Sequence, residues 1–227
     1  MKVKTQSRKV NKAWLNDHVN DTYVKLAKRE GYRARAAYKL KEIDEAHKLI
    51  KPGHLVIDLG STPGAWSQYI RRKLSPKTAT GGGAAVGELN GRIIALDLLP
   101  MEPVEGVVFI QGDFREEEIL NQITAEMKGG SDTMTLADVV VSDMAPNLSG
   151  IDSTDAARVE NLIELAIDFC KNHMKPEGAL VAKVFHGSGY SQLVVMFKAN
   201  FKVVKAIKPA SSRSESSETF LVGMGQK

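Results

Sequence analysis

Seven short runs of β-branched and aliphatic residues punctuate the 227-residue chain: HLVIDLG, RIIALDLLP, VVFIQGDF, ADVVVSDMAP, GALVAKVF, FKVVKAIKP and TFLVGMG. Helical segments alternate with them. RARAAYKLKEIDEAHKLI sets Ala36, Leu40, Ile43 and Ile50 at helical spacing before a KPG breaker, and STPGAWSQYIRRKL turns into a second helix. Further helices are expected over 155–173 and 188–200. Strands alternating with helices form an open, mostly parallel sheet with helices on both faces, in one main domain at this length. Ligands of such sheets bind outside the carboxyl ends of the strands, so the residues ending each run carry the functional question.

Charge is unevenly distributed. Residues 1–41 hold twelve Lys/Arg against three acids, a local +9, whereas the remainder carries −5 of the overall +4. Trp14, Tyr23, Tyr32 and Tyr38 interleave with these cations, a pattern suited to RNA, whose bases stack and whose phosphates repel acids; a solubilising tail is the plainer reading. The expected organisation is a basic RNA-binding arm over 1–30 and a single domain over 31–227. No apolar run approaches ~20 residues and no apolar stretch follows the basic start, so neither membrane insertion nor secretion is indicated and a cytoplasmic location is expected. The one cysteine, Cys170, excludes internal disulfides and reads as core. Five scattered histidines lack metal-ligand spacing, so no metal is expected. The glycine-rich 75–91 and the polar SSRSESS at 211–217 read as flexible excursions.

The first run ends in DLGSTPGAW, with Asp58, Gly60 and Gly64 where the chain turns sharply into a helix. This is not the dinucleotide fingerprint: Thr62 and Pro63 stand where it needs glycine, and proline offers no N–H to a pyrophosphate. The next runs end in Asp97 and Asp113, acids placed to accept hydrogen bonds from ribose hydroxyls. The ordered set fits a nucleoside cofactor without phosphates, S-adenosylmethionine. Asp143 in SDMAPNLSG should stand at the same cleft, and Trp66 either packs beside the cofactor or covers the core. In GALVAKVF an ammonium, Lys183, interrupts an aliphatic strand, where it costs several kcal/mol unless paired or deprotonated.

From GYRARAAYKLKEI through DLGSTPGAWSQY, LDLLPM, QGDF, SDMAPNLSG, VAKVFHG and SSRSESSETFLV, the chain resembles the FtsJ/RrmJ family of ribose 2′-O-methyltransferases, most nearly its branch acting on a uridine of large-subunit ribosomal RNA. The resemblance implies a Rossmann-like methyltransferase fold with a seven-stranded sheet. It implies a catalytic Lys-Asp-Lys-Glu set at Lys39, Asp143, Lys183 and Glu218, and cofactor contacts at Gly64, Trp66, Asp97, Asp113 and Asp143. Ala65 stands where the family usually has glycine, and the stretch near 81–87 is longer than its bacterial pattern.

Transfer of a methyl group from a sulfonium to a 2′-hydroxyl is accelerated by a base for the hydroxyl proton, the alternative being a lysine that only positions the hydroxyl. A lysine serves as the neutral amine, which burial and a neighbouring ammonium favour. Lys183 is the expected base, Asp143 its orienting partner, with Lys39 and Glu218 orienting the hydroxyl. Ribosomal RNA or an assembled large subunit is the expected partner, for a monomeric enzyme. Transfer RNA, an mRNA cap, or a catalytically idle assembly role are the alternatives.

Overall fold

A computed structural model describes residues 21–75, 87–146 and 149–227. In chain order these form α1 (Thr22–Glu30), α2 (Ala37–His47), β1 (Leu55–Leu59), α3 (Ala65–Lys73), β2 (Arg92–Asp97), β3 (Val108–Gln111), α4 (Glu117–Lys128), β4 (Ala137–Ser142), α5 (Asp152–His173), β5 (Met174–Phe185), α6 (Tyr190–Asn200), β6 (Phe201–Ile207) and β7 (Glu218–Gln226). The strands make one seven-stranded sheet in the order β3-β2-β1-β4-β5-β7-β6. β1 to β5 pair in parallel, and β7 runs antiparallel between β5 and β6. The expected fold class, an α/β Rossmann-like methyltransferase sheet with helices on both faces, is the one observed.

Burial explains why the central runs are apolar without alternation. All five residues of β1 are buried, because each sheet face is covered by helices. On one face Ile119, Ile123 and Met127 of α4, Val159, Ile163 and Ile167 of α5, and Leu193 and Phe197 of α6 pack on the strands. On the other, Leu40 and Ile43 of α2 meet Trp66, Tyr69 and Ile70 of α3. Cys170 lies in the first of these layers as a free, buried thiol.

Three segments depart from the sequence reading. Helix α4 was not foreseen, although Ile119, Ile123 and Met127 recur every fourth residue and Gly129 (φ 56°) closes it in left-handed geometry. Residues 22–30 form a capped helix: Asp21 Oδ1 accepts from the amides of Tyr23 and Val24 at 2.9 and 3.2 Å, and Arg35 ion-pairs with the same carboxylate. The stretch at 211–217 is held down rather than flexible. Glu42 of α2 accepts from the amides of Ala210 (2.6 Å) and Ser211 (3.1 Å), Arg35 donates to Ser211 O, and Ser211 is fully buried. Two expectations fall outside the described residues: the arm over 1–20 and most of the insertion, 76–86.

Candidate active site

Parallel strands deliver their last residues to one edge of the sheet, and an antiparallel neighbour delivers its first residue there. Asp143 follows β4, Lys183 lies near the end of β5, and Glu218 opens β7, paired with Phe185. Lys39 reaches the same edge from the first turn of α2. Its Nζ lies 2.6 Å from Glu218 Oε1 and 2.7 Å from Oε2, and Ser212 Oγ donates to Oε1 at 3.1 Å. Lys183 Nζ lies 3.0 Å from Asp143 Oδ1 and donates to the Asp143 carbonyl. The ammonium that interrupts the aliphatic strand is therefore compensated. All four side chains are largely covered, at 11–22% exposure.

The second pair is close but poorly aligned. Asp143 Oδ1 is buried and, among the described residues, makes no properly directed hydrogen bond despite the nearby ammonium. Burial pushes the Asp143 carboxyl up; Lys183 and Lys39 pull it back, and Glu218 adds to the rise. Two cations and two carboxylates thus face one another within one small cluster.

Beside them a cleft of about 1170 Å³ opens outside the ends of β1 to β4, lined among others by Gly60, Asp97, Asp113, Asp143 and Arg158. Asp97 Oδ2 accepts from the Thr62 amide at 2.9 Å and Oδ1 from the Leu99 amide at 2.8 Å, fixing the carboxylate at the wall. Asp113 is gripped by Arg115, whose Nε and Nη2 lie 2.9 and 2.5 Å from its two oxygens, and this bond holds its carboxyl below the usual range. The acids read from the strand ends thus share one cavity.

Gly64 and Trp66 are not brought to the wall of that cleft. Trp66 is 3% exposed; its Nε1 donates to Ala36 O at 2.8 Å and its ring lies 5.8 Å from Phe220, inside the α2–α3 layer. Gly64 sits at φ 101°, where a Cβ would come within 2.7 Å of Arg33 Nη1. Arg33 donates to the carbonyls of Pro63 (2.9 Å), Glu102 (2.5 Å) and Pro103 (2.7 Å), clamping this turn to the segment after β2.

The sequence reading placed Asp58 at the glycine turn but gave it no contact, and it overlooked Ser61. Both are buried, and Asp58 Oδ1 and Ser61 Oγ have no hydrogen-bond partner among the described residues. Ser67 Oγ donates to the other Asp58 oxygen at 2.7 Å. Burial raises the Asp58 carboxyl to about 7, with Asp143 and Asp97 adding to the rise and the Ser67 bond opposing it. An acid in an otherwise aliphatic strand just before a glycine is the signal that could have marked it.

These features fit S-adenosylmethionine. Carboxylates at β2 and β3 suit ribose hydroxyls and exclude phosphates, and the unpaired acceptors behind Gly60 suit a cationic amino-acid end. Gly60 is itself required, because a Cβ there would meet the Met144 backbone at 2.9 Å.

Among the described residues no helix is long and apolar enough to cross a membrane, and no group of three or more His, Cys, Asp or Glu is placed to hold a metal ion. Residues 32–226 match the FtsJ-like methyltransferase family. Over its full 227 residues the chain is 75% identical to the ribosomal RNA large subunit methyltransferase E of Albidiferax ferrireducens, covering 99% of that protein. It is 70% identical to the protein of the same name from Variovorax paradoxus, covering 98% of it. Its fold is similar to that of a Plasmodium falciparum chain assigned as a ribosomal RNA methyltransferase, with a TM-score of 0.70 at 27% identity over 86% of this chain and 98% of that one. Matched along most of its length, the chain belongs to the FtsJ-like methyltransferase family.

Proposed function

We propose that the protein methylates the 2′-hydroxyl of a uridine in large-subunit ribosomal RNA, with S-adenosylmethionine as methyl donor. Full-length relatives at 75% and 70% identity bearing the ribosomal large-subunit methyltransferase name support the substrate class. The observation that carries the chemistry is the pairing of Lys39 with Glu218 and of Lys183 with Asp143 beside a carboxylate-lined cleft.

When bound, S-adenosylmethionine supplies a methyl carbon already activated by a positive sulfur. Asp97 and Asp113 hold its ribose, and Asp58 and Ser61 receive its amino-acid end. Lys183, as the neutral amine, would take the 2′-hydroxyl proton at Nζ and so ready the sugar oxygen for the methyl carbon that the bound cofactor would give up, its sulfur leaving as a neutral thioether, and Asp143 would stabilise the ammonium formed at Lys183. Lys39, fixed by Glu218, donates to the sugar oxygen and sets its approach. Gly64 and Trp66 act at one remove by shaping the turn and its packing. The enzyme works as a monomer without a metal, in the cytoplasm, on free ribosomal RNA or an assembled large subunit, and the basic segment over 1–30 supplies salt-sensitive affinity for the phosphate backbone.

The test is methyl transfer to large-subunit RNA from cells lacking this protein, with mass-spectrometric location of the product. A ribose 2′-O-methyl group on a uridine, absent with Lys183→Met, is expected. A methyl group on a base, or none, would overturn the assignment.

A further inference from the structure

One aromatic pair at this edge has no part in the chemistry above. His186 follows the last residue of β5, and its amide donates to Ser217 O at 2.8 Å, extending the ladder one rung beyond the Phe185–Glu218 pair. Its ring lies 4.2 Å from that of Tyr190, at 35°. Tyr190 opens α6 and rests on the buried core layer, whereas His186 is exposed. The His186 ring nitrogens have no hydrogen-bond or ionic partner among the described residues. The space beside it is open: Gly187 stands at φ 138°, and a Cβ there would meet nothing within 4 Å.

Such a pair is one anchored ring supporting a second ring that is free to take another partner. Cations stand near by. Lys208 Nζ donates to Ser216 O, one residue from the carbonyl that binds the His186 amide, and Arg213 in the same segment, 4.0 Å from Asp21 Oδ2, is 42% exposed. Exposed aromatics beside cations are the signature of surfaces that stack unpaired bases while neutralising phosphates. The position suits that use. His186 lies three residues beyond Lys183 along extended backbone, about 10 Å at ~3.3 Å per residue. A ribose presented to Lys183 carries its own base and joins a neighbouring nucleotide over that span.

We infer that His186 and Tyr190 form a stacking platform for an unpaired RNA base at or next to the methylated nucleotide. The inference rests on the assignment of an RNA ribose as substrate and extends it: the target nucleotide is presented single-stranded, and this pair is a binding site for its base or the adjacent one. The imidazole contributes its face, so a ring of similar size without nitrogen should serve as well.

The experiment compares wild type, His186→Ala and His186→Phe in two readouts. One is the KM for large-subunit RNA in methyl transfer; the other is equilibrium binding of a short unpaired uridine-containing oligoribonucleotide, followed by fluorescence anisotropy. His186→Ala should weaken both about tenfold, as loss of one base–aromatic stack does, and His186→Phe should restore both. S-adenosylmethionine affinity and the melting temperature should stay at wild-type values in both variants. Unchanged oligonucleotide binding in His186→Ala overturns the platform, as does failure of phenylalanine to restore it. Wild-type protein that binds the oligonucleotide with this His186 dependence yet transfers no methyl group would overturn the assigned reaction and leave the platform standing.

Discussion

Asp44 and Asp58 are both fully buried carboxylates, yet their surroundings are opposite. Asp44, in α2, has each oxygen in use: Oδ1 accepts from the Ile50 amide at 2.7 Å, and Oδ2 lies 2.6 Å from the Tyr69 hydroxyl and 3.0 Å from Lys73 Nζ. It ties α2 and the turn after it to α3. Asp58, in β1, has one oxygen bonded to Ser67 and the other to no partner among the described residues. A buried acceptor left open costs stability. The saturated acid belongs to the architecture, and the open one is the acid to which the proposed function gives a part in holding the cofactor.

That contrast can be broken most decisively at the reacting edge. Lys183→Met keeps the length and apolar stem of the side chain but removes its proton-accepting nitrogen, so turnover should fall by ~10²–10⁴-fold with little change in cofactor affinity. Single-turnover assays beside calorimetric titration with S-adenosylmethionine check this, and parental turnover would remove Lys183 from the reaction. Asp44→Ala should act in the opposite way. It strands the Ile50 amide and Tyr69 hydroxyl, so urea denaturation should show a loss of ~3 kcal/mol while activity per folded molecule stays at the parental level. A specific loss of activity in well-folded Asp44→Ala would erase the distinction drawn between the two acids.

Asp58→Asn sharpens the contrast at the cofactor. The amide keeps size and hydrogen-bonding capacity but cannot carry the negative charge that would meet a cationic group, so S-adenosylmethionine affinity should weaken ~10-fold with unchanged fold. The smallest effect is on stability without ligand. Because folding raises the Asp58 carboxyl to about 7, its contribution to stability is complete below the usual carboxylate range and is lost as pH rises toward 7. Between pH 6 and pH 7 wild type should lose on the order of 1 kcal/mol from this group, and Asp58→Asn should lack that component. Parallel urea curves at the two pH values for both proteins would measure it; identical pH slopes would contradict the raised carboxyl.

The sheet and its acids were legible because two simple signals coincide: aliphatic runs mark strands buried on both faces, and an acid closing such a run marks the ligand edge. Lys183 was legible for the reverse reason, as a charge with no business in an aliphatic strand. What escaped depends on contacts distant in sequence. Ser211 and Ser212 lie in a stretch that reads as a solvated loop, and only Glu42 and Arg35, far earlier in the chain, hold it against α2. Trp66 could equally have faced a ligand or the core; the Ala36 carbonyl and Phe220, neither near it in sequence, place it in the core. Helix α4 hid behind its glutamates, although its apolar residues keep strict four-residue spacing.

The position of β7 has a consequence for how the enzyme comes into being. β6 precedes β7 in the chain but pairs only with it, and β5 is an open sheet edge until β7 enters. During vectorial synthesis the domain therefore stays unzipped at its centre-right, with two adhesive strand borders exposed, until residues 218–226 slot between them. The same insertion brings in Glu218, the carboxylate that grips Lys39, so sheet closure and assembly of that pair are one event.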